Sequence, residues 1–507
     1  MLSSVSLIFI LMHCQGYSST GNSRSPTPPD DTTRITRLID VSKVSGIFPD
    51  LAGYRNTSIQ MTPAPVLAKL SAAELGEPKI VRCWLNLDEM WDYRTRKFDF
   101  NFIIGVDKYK DIQAKYRESW NWETESNVPF ESYLGAFSKN SHAIMLDIRR
   151  YERDILDHRL PITKQDWKMI FKTGLEHYKR LFPNIRYVEV ANEYRGKSFM
   201  AATDEEYYEF YKLGYEAVAE VNRELHLTGE NRILVGGPVV TGNVLPAIDH
   251  FLQFYSQDTS RNKHLDFISW HDYNKPIDQT SYRQTDITTL LKKYKLNSDI
   301  PLFMTEHDPF HKSKDLPIYH TMNAAYLPKS LYFSSVFSPE VRIFPWVLYH
   351  NKNIQTKFMW FEGPNKVDTK ARELTMLPIG CSMKFLSMLV GKQIVIKNSI
   401  DGGDLILGAQ TKDSIVVETI NYAGKKDVDI RLRRIGEVFS VGKGAKVRIR
   451  KYLIDSTHSN SLLNSNYKGG IEEISNQTVA LQKGGLTLRQ EGLEQYALIL
   501  WVIKPEN

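Results

Sequence analysis

Between about Val41 and Leu389, short apolar runs alternate with stretches in which apolar residues recur every three or four positions. The runs are Ser42–Phe48, Lys79–Leu85, His142–Asp147, Arg186–Ala191, Arg232–Gly236, Asp266–Trp270, Pro301–Thr305 and Val341–Val347. Near-continuous apolarity over so few residues marks parallel strands buried on both faces. Between several of them the period is helical. Lys164 to Leu181 sets Trp167, Ile170, Phe171, Leu175 and Tyr178 on one face, and Thr203-Asp204-Glu205-Glu206 opens the next helix with a capping box. Strands with helical crossovers in this number predict an α/β fold, a (β/α)8 TIM barrel over residues 34–390. The segment from Asp88 to Tyr133 has no clear period and reads as a long insertion after the second strand. Its Trp91, Tyr93, Trp120 and Trp122 are expected to build substrate walls.

From about Gly391 the helical period stops. Ile394–Ile396, Leu405–Gly408, Ile415–Asn421, Val428–Leu432, Ala445–Ile449, Thr478–Gln482 and Tyr496–Ile503 are strand-like, separated by Gly, Asn or Asp clusters. Residues 391–507 are expected to form a C-terminal all-β sandwich domain. At the other end, Val5 to Met12 is an apolar run too short to span a bilayer, which takes about 20 residues. It reads as the core of a secretory signal over 1–14, although no Lys or Arg precedes it. Leu11-Met12-His13-Cys14 resembles a bacterial lipoprotein box, so a membrane tether through a lipid on Cys14 is expected. The Ser/Pro/Gly-rich stretch 15–33 reads as a flexible tether. The chain is thus expected to be exported: periplasmic, outer-membrane-anchored or extracellular.

Composition narrows the function classes. With 42% hydrophobic and 24% charged residues, the chain is neither disordered nor a multi-span membrane protein. The net charge of +6 comes without a long basic block, so no nucleic-acid partner is expected. The densest basic patch, Arg431 to Arg434 with Lys443 to Lys451, reads as a solvated sheet face. Cys83 and Cys381 lie in apolar contexts and are expected to be buried free thiols. No CxxC or zinc-type spacing occurs, and no metal or cofactor is expected.

Barrel enzymes work at the C-terminal ends of their strands. Just past the candidate strands stand Asn192-Glu193, His271-Asp272-Tyr273-Asn274 and Glu306-His307-Asp308. Two carboxylates on the fourth and seventh strands would face each other across the mouth. Glycoside hydrolysis needs such a pair, one to protonate the leaving oxygen and one to attack the anomeric carbon or activate water.

Three stretches carry a family resemblance: Val188-Glu189-Val190-Ala191-Asn192-Glu193, Asp266-Phe267-Ile268-Ser269-Trp270-His271 and Ile300-Pro301-Leu302-Phe303-Met304-Thr305-Glu306-His307-Asp308-Pro309. The sequence resembles glycoside hydrolase family 39, which includes β-xylosidases and α-L-iduronidases. The resemblance implies a retaining, two-step mechanism with Glu193 as acid/base and Glu306 as nucleophile. It implies that Asn192 bonds the sugar 2-hydroxyl and that His271 and Tyr273 line the same subsite. Trp346 is a candidate stacking floor for the sugar. Arg82 would orient a carboxylate or hydroxyl, or complete a barrel salt bridge. The implied partner is an oligo- or polysaccharide, with β-xylosidase-like exo-action. Action on a uronic-acid-containing polymer is the alternative, with Arg195 and Lys275 as candidate cations. Two other classes compete. One is a metal-dependent barrel hydrolase using His271, Asp272, His307 and Asp308. The other is a catalytically inactive carbohydrate-binding surface protein.

Overall fold

The computed structural model describes residues 34–57, 64–104, 128–197, 199–273, 283–309, 317–349, 359–362, 374–442, 444–460 and 469–506. The signal and tether expected over 1–33, with Cys14, lie outside the described residues, as do Trp120, Trp122 and Lys275. No helix among the described residues is long and apolar enough to cross a membrane.

Eight parallel strands form one sheet: Tyr54–Asn56, Ile80–Asn86, Ala143–Arg149, Ile185–Val190, Leu234–Val240, Phe267–Tyr273, Leu302–Asp308 and Val341–Pro345. The Leu348 amide donates to the Asn56 carbonyl at 3.0 Å, which joins the last segment to the first and closes the barrel. The helices Lys164–Leu181 and Asp204–Glu224 both begin with reciprocal capping boxes, Thr163 with Asp166 and Thr203 with Glu206.

The barrel interior is layered. Tyr54, Ile80, Met145, Tyr187, Phe267, Phe303 and Phe344 interlock as an apolar plug at the N-terminal end. Side chains alternate along a strand, so the next inward positions lie two residues on. These are Asn56, Arg82, Asp147, Glu189, Ser269 and Thr305, all fully buried. The plug therefore carries a polar, charged layer on top of it, facing the mouth.

The first strand departs from expectation. Val44–Ile47 is an antiparallel edge strand paired with Lys392–Ile394, and Arg34–Asp40 pairs with Lys426–Arg433. Both belong to the β module, and the barrel begins at Tyr54 rather than at residue 34. Over seven residues, apolarity does not separate a buried parallel strand from an edge strand. Ile47 is 76% exposed, which a barrel strand would not permit.

The rest of the module is a two-sheet sandwich. A seven-stranded sheet runs in the order Val44–Ile47, Lys392–Ile394, Asp404–Gln410, Ile415–Asn421, Leu498–Pro505, Lys446–Ile454, Glu472–Ala480. A three-stranded sheet holds Arg34–Asp40, Lys426–Arg433 and Leu486–Leu493. Ile35, Ile39, Ile406, Val417, Ile430 and Trp501 fill the space between the sheets. The opposite face of the larger sheet, with Leu405, Leu407, Val416 and Leu500, joins the barrel's hydrophobic core. Leu486–Leu493 was not foreseen, nor was the short helix Ile435–Phe439. Cys83 and Cys381 are buried thiols, as expected, and form no disulfide among the described residues.

Candidate active site

The fourth barrel strand ends in an unusual turn. Ala191 and Glu193 both adopt left-handed backbone angles, φ 61° and 44°, on either side of Asn192. For non-glycine residues this costs roughly 1–2 kcal/mol each, so the surroundings must enforce it. The Ala191 amide donates to Ile148 O at 2.8 Å, and the Glu193 amide donates to Val239 O at 2.9 Å. Beyond it, Tyr194 and Arg195 both anchor on Asp204, at the start of the next helix. The Tyr194 hydroxyl donates to it at 2.7 Å, and the Arg195 guanidinium bonds it through Nε and Nη2 at 2.7 and 2.6 Å. Arg195 is thus a clamp on the Glu193 turn.

Glu306 owes its direction to an irregular register. The sixth and seventh strands pair Trp270 with Met304 but His271 with Glu306, so one residue is gained at the bulge. Bulges re-aim side chains. Here the bulge turns Glu306 toward the inward-facing His271.

Arg82, fully buried, ties the site together. Its Nη1 donates to Glu306 Oε1 at 2.7 Å, its Nε to Glu189 Oε2 at 2.5 Å, and its Nη2 to Asn192 Oδ1 at 2.9 Å. Asp147 Oδ2 lies 3.2 Å from Nη2. Burial opposes the guanidinium charge, but Asp147, Glu189 and Glu306 outweigh it and raise its pKa. Asp147 is itself pushed up by burial, against the pull of Arg82. Arg82 thus completes a buried salt bridge inside the barrel, with Asp147, Glu189 and Glu306.

Glu306 Oε2 accepts a hydrogen bond from the Tyr273 hydroxyl. His271 Nδ1 lies 2.9 Å from Glu193 Oε1 and 3.5 Å from Glu306 Oε2. Burial holds the imidazole neutral, with a pKa of about 4. Burial also raises the Glu193 carboxyl to about 7, against the opposing charge of Arg82. Two glutamates at one mouth therefore have different surroundings: Glu306 faces a guanidinium and a phenol, and Glu193 faces a neutral imidazole.

Oxygens of Glu193 and Glu306 and a ring nitrogen of His271 all lie within 4.8 Å of one another, close enough to ligate a divalent ion. That spot, however, borders the Arg82 guanidinium, which already bonds Glu306 and would repel a cation. The rival metal set does not converge. His307 Nδ1 sits 2.8 Å from the Asp272 carbonyl, and the Asp272 carboxylate lies 3.4 Å from Arg283 Nε.

Trp346, 8% exposed, stacks on Trp84 with ring centroids 5.5 Å apart, and the Arg149 guanidinium lies 3.8 Å from the Trp84 ring centroid. Asp147, Glu189, Trp84 and Arg149 were missed in the sequence. The available signal was a charged residue at matching inward positions of otherwise apolar strands, as in Val81-Arg82-Cys83, Leu146-Asp147-Ile148 and Val188-Glu189-Val190.

Arg82→Lys is expected to lower kcat/KM on aryl glycosides by about 100-fold. One ammonium cannot reach Glu306, Glu189 and Asn192 together, and misplacing a reacting group by about 1 Å costs that much. Steady-state kinetics with a melting curve of the variant checks this; unchanged kinetics in a folded variant would remove Arg82 from the site.

Residues 165–424 match the profile of "Glycosyl hydrolases family 39". No curated protein matches the chain in sequence. Among solved structures, the chain is similar to a monomeric β-xylosidase from Caulobacter crescentus CB15, with TM-score 0.63 and 12% identity over 93% of this chain and 100% of that one. It is similar to a family 39 enzyme from Xanthomonas axonopodis pv. citri, with TM-score 0.62 and 12% identity over 93% and 97%. It is also similar to a glucosidase from Croceicoccus marinus, with TM-score 0.61 and 15% identity over 94% and 100%. At these identities the likeness is one of fold, a barrel with an attached β domain. The profile match is of another kind. It covers more than half of the chain and includes Glu193, His271 and Glu306, so the chain belongs to glycosyl hydrolases family 39 and is a glycoside hydrolase acting on carbohydrate.

Proposed function

We propose that the enzyme is a retaining, β-xylosidase-like exo-glycosidase that works by double displacement. The supporting observation is the spacing of its two glutamates. Retaining enzymes hold their carboxyls about 5–5.5 Å apart, and inverting enzymes about 6.5–9.5 Å. Here oxygens of Glu193 and Glu306 lie within 4.8 Å of each other.

In this reading Glu193 enters the cycle protonated, as its raised pKa favours, and gives its proton to the leaving oxygen. Glu306 attacks the anomeric carbon. Arg82 and Tyr273 hold both its oxygens in place and fix which lone pair faces the sugar. Glu193, now ionised, then takes a proton from the water that hydrolyses the glycosyl-enzyme. The Asn192 carboxamide oxygen is bound by Arg82, and its Nδ2 is buried without a partner among the described residues. That leaves one oriented donor for a sugar hydroxyl near the nucleophile. The reading places the enzyme outside the cytoplasm, on the sequence of Val5–Met12 and Cys14.

The uronate alternative loses one of its two candidate cations, because Arg195 is committed to Asp204. A panel of aryl β-xylosides, β-glucosides, β-galactosides, α-L-arabinosides and uronides tests the substrate. The β-xyloside is expected to give the highest kcat/KM; a uronide preferred over every neutral sugar would overturn the assignment.

A further inference from the structure

The β module has a second concave surface, away from the barrel. There the outer three-stranded sheet, the helix Ile435–Phe439 and the turn following Ala480 border an open groove of about 1270 Å³. This exceeds the roughly 300–1,000 Å³ of a small-molecule pocket. Six cations line it, Arg37, Arg431, Arg433, Arg434, Lys483 and Arg489, against one acid, Glu437.

Neighbouring acids hold some of these side chains in place. Arg37 bonds Asp404 at 2.7 Å, Arg434 lies 3.5 Å from Asp40, and Arg431 and Arg489 share Asp429 at 3.6 and 3.8 Å. Arg433 and Lys483 are exposed and make no ion pair among the described residues. The turn that carries Lys483 is fixed. Gln482 and Gly485 exchange backbone hydrogen bonds at 3.0 Å, and Ile435 N donates to Gly484 O at 2.8 Å. Gly485 lies so close to the neighbouring strand that a Cβ there would sit 2.3 Å from Leu432 O.

No aromatic ring lines the groove among the described residues. Neutral sugars are gripped largely through their apolar faces on such rings, and membrane surfaces are met by aromatic and apolar side chains at the interface. Guanidinium groups instead match carboxylate and sulfate oxygens two at a time. Gln477, Gln482 and Thr487 add neutral donors and acceptors suited to hydroxyl groups.

We propose that this groove binds an anionic polysaccharide, holding carboxylate or sulfate groups along one chain through Arg433, Lys483 and the arginines beside them. The inference stands independently of the catalytic roles of the glutamates. Its consequence is a raised local concentration of polymer at the enzyme.

Calorimetric titration of the full chain carrying Glu306→Gln, so that nothing is consumed, tests it. The probes are oligogalacturonate, low-mass dextran sulfate, neutral xylo-oligosaccharide and phosphatidylserine vesicles. At least one of the two anionic oligosaccharides is expected to bind, more weakly as salt rises, and which one binds tells carboxylate from sulfate recognition. Arg433→Glu with Lys483→Glu is expected to weaken that binding at least tenfold without moving the melting midpoint. Should the double variant fail to fold, Lys483→Ala alone is expected to weaken it measurably. No binding of either polyanion, indifference to the substitutions, an equal response to the neutral oligosaccharide, or capture by vesicles alone would each overturn the proposal.

Discussion

Replacing Glu306 by Gln is expected to lower kcat on aryl glycosides by about 10⁴-fold or more, with the fold intact. In the proposed mechanism the substitution removes the carboxylate that forms the glycosyl-enzyme. Its amide must also meet the Arg82 Nη1 now 2.7 Å from Oε1 and the Tyr273 hydroxyl at Oε2, so at most one of its two ends still accepts a bond. Groups that act as a unit lose most of their rate when the reacting atom goes. Both steps of the proposed double displacement pass through this residue, so a better leaving group should not restore the rate. A variant retaining more than about a tenth of wild-type kcat would remove Glu306 from the role of nucleophile.

Glu193→Gln should behave differently, and the difference identifies the acid. Substrates with poor leaving groups need a proton and are expected to slow by about 10²–10⁴-fold. Dinitrophenyl glycosides need little protonation and should lose far less in the first step. In Glu193→Ala, azide can enter in place of water and is expected to restore turnover, giving a glycosyl azide.

The pH profile gives an independent reading. Burial raises Glu193 to about 7, and the active form of a general acid is the protonated one. Wild-type kcat/KM should therefore be sustained below about 7 and fall as pH rises through it. In Glu193→Gln that upper limb should vanish, since the amide has no proton to lose. A limb that survives the substitution belongs to another group.

The barrel strands from Lys79 onward were legible because a parallel strand covered on both faces leaves a nearly unbroken apolar run. Ser42–Phe48 met the same criterion and still belongs to the other domain. Its Val44 and Ile47 lie on an edge strand and Phe48 is buried just past it, and the pairing partner Lys392–Ile394, far along the chain, decides which domain it joins. Leu486–Leu493 was hidden for the opposite reason. Its sequence, Leu-Thr-Leu-Arg-Gln-Glu-Gly-Leu, covers a sandwich on one face only and carries charge on the other.

At the site, Asn192 and Glu193 could be found because they stand just past their strand, and His271 and Glu306 because they stand at the C-terminal ends of theirs. Asp147 and Glu189 stand inside theirs, where a polar residue reads as a surface position. Their meaning depends on Arg82, which lies on a third strand, and no local pattern shows that three inward charges meet in one layer. Arg195 reads as a free loop charge until the helix cap at Asp204 is seen to hold it.

The proposed mechanism turns on a covalent intermediate on Glu306. Incubating the enzyme with the 2-deoxy-2-fluoro aryl glycoside of its preferred sugar, followed by digestion and mass spectrometry, tests it most directly. One fluoroglycosyl group per chain is expected, on the peptide that contains Glu306. An adduct on another carboxylate, or active enzyme that releases product while forming no adduct at all, would contradict it.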